Sequence, residues 1–249
     1  MTNVQFPAVF SGEASPMVSD KYSFVSTKEI LGYFENEGWK VRSMRQSGTR
    51  DASKKAFVTH EVRLQHGKFG QVGDSIPEII IKNSHNGKTP LQFNMGLFRI
   101  ACLNGLTVPM SQFNQTSRIR HMGIDPTEVL ELTEGVSVLL PKLNERVRVM
   151  QETEIREDAA IEFLRESVKL RWDSGEHVIN YDDFATAKRK EDALPTVWSV
   201  FNLAQEKLIR GEVEVTGEKR RKARPIKNFI VESQINKKLW VLAEDMLLS

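Results

Sequence analysis

The tetrapeptide Asp125-Pro126-Thr127-Glu128 divides this chain into two halves with different periodicities. An aspartate at the N-cap, a proline at the first helical position and a glutamate in the first turn together start a helix. Beyond them Val129, Leu132, Val136, Leu139, Leu143, Val147 and Met150 recur at spacings of three and four, an apolar stripe about 22 residues long. Pro141 falls inside the stripe and is expected to kink the helix or split it in two. Further helices are expected over 156–170, 195–210 and 228–247. Gly211 would stop the second of these, and Ile235, Leu239, Leu242 and Met246 would form the stripe of the last.

Upstream the periodicity is two. Residues 39–46 read as a strand, and 56–65 alternate with Val58, His60, Val62 and Leu64 on one face and Thr59, Glu61, Arg63 and Gln65 on the other. Residues 78–82 form a buried strand, 90–95 alternate again, and 113–121 read as a last strand with Arg118 and Arg120 on one face. Gly96–Leu103 fits a short helix or a continued strand equally. Ser26 with Glu29 forms a capping box for a short helix that buries Ile30, Leu31 and Phe34 and ends at Gly38. Residues 1–25 read as an extended arm whose Phe6 and Phe10 can dock elsewhere. The expected fold class is α+β: a basic antiparallel β-rich region over 26–123, then a helical region over 124–249, integrated into one domain.

Charge is as unevenly placed as structure. Net charge is +2, yet residues 38–123 hold 13 Lys/Arg against 4 Asp/Glu, a local excess of +9. Such an excess attracts phosphates whatever the balance of the whole chain. Part of it lies in a loop and its flanks: Lys40, Arg42, Arg45, Arg50, Lys54 and Lys55, with small residues Ser47, Gly48 and Ser53 that let a backbone approach. Arg118 and Arg120 add to it. A second basic tract, Lys219 to Lys227, contains Arg220, Arg221, Lys222 and Arg224. Phe69 and Phe113, in polar surroundings, are candidate platforms for stacked bases.

Several chemistries lack their residues. The Walker spacing is absent, so nucleotide hydrolysis is not indicated. One cysteine, Cys102 in an apolar context, excludes a disulfide framework and reads as a core thiol. The five histidines show no metal-ligand spacing, and the four acids of the basic half, Asp51, Glu61, Asp74 and Glu78, match no two-metal pattern. No cofactor and no metal is expected. No apolar run approaches the ~18 residues that span a bilayer. The first ten residues lack a secretory pattern, so a cytoplasmic protein is expected.

Two turns, Asn83-Ser84-His85-Asn86-Gly87 and Asn104-Gly105, lie close together with Arg99 and Cys102 between them. They support either a structural Asx-type turn or a site built on His85, Asn104 and Arg99. With Ile119-Arg120-His121 and Trp198-x-x-Phe201-Asn202, these turns resemble a phage- and plasmid-borne family known only as a domain of unknown function. Asn86 stands where an aspartate looks usual in that family, which weakens any metal role for the turn. A basic sheet followed by a long helix is also similar in architecture to phage single-strand annealing proteins. That resemblance implies rings or filaments that hold single-stranded DNA by its backbone. The function expected first is therefore a phage or mobile-element DNA-binding protein, an annealing or DNA-protecting factor and a homo-oligomer. The alternatives are an enzyme centred on His85 (a nuclease or a phosphate-substrate hydrolase) and an inhibitor of a host defence factor.

Overall fold

The computed structural model describes residues 5–113, 118–172, 179–216 and 221–248. In chain order the elements are α1 (Thr27–Asn36), β1 (Lys40–Gln46), β2 (His60–Gln65), β3 (Ser75–Asn83), β4 (Leu91–Arg99), β5 (Asn104–Val108), β6 (Arg118–Ile119), α2 (Pro126–Glu152), α3 (Glu157–Lys169), α4 (Tyr181–Ala185), α5 (Val197–Arg210), β7 (Glu214–Val215), β8 (Arg221–Lys222) and α6 (Phe229–Leu248). An antiparallel sheet dominates the N-terminal half and helices the C-terminal half, so the fold class is α+β. The chain forms two compact units, residues 1–98 with 109–143, and 99–108 with 144–249. Among the described residues no helix is long and apolar enough to cross a membrane.

In the first unit the strands lie in the order β1-β2-β3-β4, with β6 pairing β4. Along β2, Val62 and Leu64 lie opposite Ile81 and Ile79 and bury fully on one face. α1 closes that face: Phe34 meets Phe93 at 6.3 Å and Trp39 at 5.7 Å between ring centroids. The cap expected for α1 is present, Ser26 Oγ accepting from the Glu29 N–H at 3.2 Å. The N-terminal segment docks on this unit. Ala8 and Val9 are fully buried, and the Ser15 N–H donates to the His85 carbonyl at 2.8 Å.

One expectation needs correction, and two open alternatives narrow. Among the described residues β6 spans Arg118–Ile119, not the nine residues expected. The arm occupies the backbone beyond it, where the Ser23 N–H bonds the His121 carbonyl and Tyr22 bridges Met122. Residues 114–117 of the expected strand lie outside the described residues. Gly96–Leu103 is strand as far as Arg99 and then a turn, with Leu103 at φ +55°. Pro141 does not split α2, which runs unbroken for 27 residues. One lost backbone bond is outweighed by a buried stripe on both sides of it: Val136, Leu139, Leu140, Leu143, Val147 and Met150. Asp125 Oδ1 accepts from the Thr127 N–H at 2.9 Å and starts the helix as expected.

The second unit is built on α5, nearly all of whose residues are buried. Phe201 stacks on Trp198 at 5.5 Å and meets the Trp240 edge of α6 at 5.8 Å. Gly211 ends α5 at φ +70°, with the Ala223 carbonyl so close that a Cβ would sit 2.4 Å from its oxygen. Gly211→Ala is therefore expected to lose roughly 2–4 kcal/mol, from backbone strain and overpacking together. Urea unfolding measures it, and parental stability would show that the segment carrying Ala223 can step aside.

Candidate functional site

The cations of the basic region separate into two groups. Arg42, Arg45 and Arg63 stand on the sheet face opposite α1 and are paired with carboxylates. Arg45 lies directly across from Glu61 and donates to it at 2.6 Å. Arg63, 2% exposed, donates to Glu61 at 3.0 Å and to Glu78 at 3.1 Å, and Arg42 closes the row by pairing with Glu78. The Arg42 guanidinium also lies 4.2 Å over the Phe98 ring. The row Arg45–Glu61–Arg63–Glu78–Arg42 thus alternates in sign across three strands. Burial pushes the Glu61 carboxyl up, but Arg63 and then Arg45 more than offset it and hold the group below its ordinary value. The face of β2 that reads as polar in sequence is an interior ionic layer. It consumes two of the arginines expected to meet phosphate.

The second group faces water. Lys40, Arg50, Lys55, Arg118 and Arg120 are exposed, with no ion pair among the described residues. Lys54 pairs with Asp51 at 3.0 Å, both about half exposed, a weak pair. Phe69 stacks on Trp39 at 5.3 Å and keeps partial exposure, as Phe113 does. In the second unit Arg221 and Lys222 form the exposed strand β8 and Arg224 follows it, while Arg220 lies outside the described residues.

Arg118 and Arg120 stand on the wall of a cleft of about 410 Å³ in the first unit, with Ser19, Tyr22, Asn86 and His121. Tyr22 and His121 come from the two segments that the arm joins, and their rings stack at 4.8 Å. Asn86 and Gly87 come from the turn between β3 and β4, where Gly87 takes φ +74° and Asn86 Oδ1 accepts from the Lys88 N–H at 3.1 Å. Behind the cleft Asn83 organises a buried network. Its Nδ2 donates to the Val25 carbonyl at 3.1 Å and to Thr27 Oγ1 at 3.0 Å, and its Oδ1 accepts from the Ser84 N–H at 2.8 Å. Thr27 Oγ1 meets His60 Nε2 at 2.8 Å, leaving His60 Nδ1 to face the Val58 carbonyl at 3.0 Å.

His121 joins the cleft to this network. Its Nδ1 faces the Ser23 carbonyl at 3.0 Å and its Nε2 faces Asn83 Oδ1 at 2.9 Å. A neutral imidazole has one N–H and satisfies one of these acceptors; an imidazolium satisfies both. Burial nonetheless keeps its pKa below the ordinary value, against the pull of the Ser23 and Thr89 backbones. Burial also pushes the Tyr22 hydroxyl up to about 12.

His85, the alternative catalytic candidate, is wholly buried between the rings of Phe24 and His60, each at 4.9 Å. Among the described residues neither ring nitrogen has a hydrogen-bond partner of ordinary geometry. Arg99 and Asn104 belong to the second unit and are engaged there. Arg99 pairs with buried Asp192 at 2.7 Å. Asn104 donates to Gln205 at 2.9 Å and accepts from Arg210 Nε at 2.8 Å. Cys102 is free and buried, and burial raises its thiol pKa. Among the described residues no three His, Cys, Asp or Glu side chains are placed to hold a metal ion. His177 lies outside the described residues.

The roles of Tyr22, Thr27 and Asn83 are not evident in sequence, because the bonds from Tyr22 to Ser84, Thr27 to His60 and Asn83 to Thr27 reach across 62, 33 and 56 residues. The Asn83–Gly87 turn and the Arg118–Arg120 pair each stand out in sequence; their meeting in one cleft does not.

No solved structure matches this chain. Two proteins of Escherichia coli K12 resemble it along nearly its whole length. The UPF0380 protein YafZ is 28% identical over 244 residues, covering 97% of this chain and 88% of its own. The UPF0380 protein YfjQ is 27% identical with the same coverage. A family model described as a domain of unknown function, DUF932, matches residues 15–240. The chain belongs to the DUF932 family.

Proposed function

We propose that this protein binds single-stranded DNA through its phosphate backbone, without base specificity, as an annealing or DNA-protecting factor of a mobile element. The observation that carries the reading is the division of the basic residues. Three arginines are neutralised inside the first unit, yet Lys40, Arg50, Lys55, Arg118 and Arg120 remain exposed, without carboxylate partners among the described residues. Exposed cations of this kind release condensed counterions when they meet phosphates, and that release supplies affinity without reading bases. Phe69, held against Trp39, offers a ring on which a base can stack. An annealing role also calls for several copies on one strand, so a ring or filament of this chain is part of the reading. The enzyme alternative has less support, since the His85 ring presents no surface to a substrate.

The test is binding of labelled single- and double-stranded DNA over a salt series, with the mass in solution recorded alongside. Arg118→Ala with Arg120→Ala is expected to weaken binding equally for all sequences. It should flatten the slope of log K against log salt by about 0.7 for each phosphate that is no longer neutralised. An unchanged slope in a folded variant would remove these arginines from the interface. Absence of binding at low salt would remove the reading itself.

A further inference from the structure

The cleft beside Arg118 has more than charge to offer. Its cationic wall carries two guanidinium groups, and among the described residues no Asp or Glu lines it. Its lining also includes apolar side chains, Val18, Pro90 and Met122, the last 64% exposed. An exposed methionine lining the same cleft as two arginines leaves apolar surface in water that a flat ring can cover. A volume of about 410 Å³ lies within the range of small-ligand sites and is small for a continuous strand.

We propose, resting on the DNA-binding reading above, that this cleft receives a terminal nucleotide bearing a phosphomonoester. The phosphate sits between Arg118 and Arg120, and the sugar and base lie against Pro90 and Met122. The charge argument selects an end over an internal link. A phosphomonoester carries about −1.5 to −2 near neutral pH and matches two guanidinium groups, whereas an internal diester carries a single charge. Arginine forks bind phosphate oxygens in pairs, which adds geometric selectivity to attraction. The Asn86–Gly87 turn bounds the cleft, and the tie from Asn86 Oδ1 to the Lys88 N–H holds that turn in place.

The experiment compares three internally labelled single strands of one sequence: 5′-phosphorylated, 3′-phosphorylated, and with hydroxyls at both ends. Phosphorylation at one end is expected to tighten binding about tenfold. The preferred end identifies the source of the nucleotide. Arg118→Ala with Arg120→Ala should bring the ratio between phosphorylated and hydroxyl strands to one. A free nucleoside monophosphate should compete with the preferred strand where the nucleoside does not. Both arginines are exposed, so the variant is expected to fold, and Met122→Asp, which adds a phosphate-repelling charge to the cleft lining, gives a second route to the same loss. Equal affinity for all three strands would overturn the end site and leave backbone binding intact. Equal competition by nucleoside and nucleotide would overturn it as well. Binding of none of the strands would overturn both readings.

Discussion

Arg63→Ala is expected to destabilise the first unit by about 3–5 kcal/mol, a large share of the roughly 5–15 kcal/mol that holds a typical domain. Arg63 supplies the central positive charge of a buried row, flanked by Glu61 at 3.0 Å and Glu78 at 3.1 Å. Removing it leaves two carboxylates in the interior, with the partly exposed Arg45 and Arg42 at the outer ends, Lys82 across from Glu61 and the Gln65 amide on Glu78 as partial compensation. The cost comes from uncompensated buried charge more than from the intrinsic strength of the pairs. Arg63→Met keeps much of the volume and is expected to be nearly as damaging. Arg50→Ala, at an exposed position, should change stability by less than about 0.5 kcal/mol. Equilibrium urea unfolding of the three variants separates these outcomes. A parental midpoint for Arg63→Ala would mean that water reaches Glu61 and Glu78 and that the layer is not sealed.

That row also shows where sequence reading stops. Helix starts and stops depend on neighbours within four residues. Asp125-Pro126, Ser26 and Gly211 were accordingly legible, as were the extents of α3 and α6 to within two residues. The alternation of β2 was legible too, but its meaning was not. Glu61 and Arg63 look like a solvated face until β1 brings Arg45 opposite Glu61 and β3 brings Glu78 beside Arg63. Sign alternates across strands, and only the register shows it. The histidines follow the same rule. His60, His85 and His121 lie as far as 61 residues apart in sequence, with no spacing to link them. Thr27 and Asn83 link His60 to His121, and His85 packs on the His60 ring. β5 is hidden in sequence because Asn104-Gly105 reads as a turn, whereas the Asn104 amide is satisfied by Gln205 and Arg210 and can be buried at the start of a strand.

The histidine cluster makes acid the protein's weak point. Burial pushes the His60 imidazole down to about 3, helped by neighbouring His85, and pushes His85 down to about 4. In the unfolded chain both titrate near 6.5. Between pH 6.5 and 4 the unfolded chain therefore binds more protons than the folded one, and stability rises with pH across that window. It is fully present above 6.5 and is lost as pH falls toward 4, at about 1.4 kcal/mol per pH unit for each histidine. Two histidines acting together remove about 3 kcal/mol per unit at most, and about 5 kcal/mol in all by pH 4.5, the lower end of the stability of a typical domain. Carboxylates are protonated in the same acid range, so the diagnostic variant is His85→Phe. The His85 ring packs between Phe24 and His60, and its polar contact with the Ala8 backbone falls short of an ordinary hydrogen bond, so a phenyl ring forfeits little there. At pH 7.5 the variant should be at least as stable as the parent, and between pH 6.5 and 4.5 its stability should fall less steeply by about 1.4 kcal/mol per pH unit. Parallel curves for parent and variant would mean that His85 accepts a proton without unfolding its surroundings. The buried ring would then have a route to solvent past the arm residues Ala8 and Val9, and the enzyme reading centred on it would regain ground.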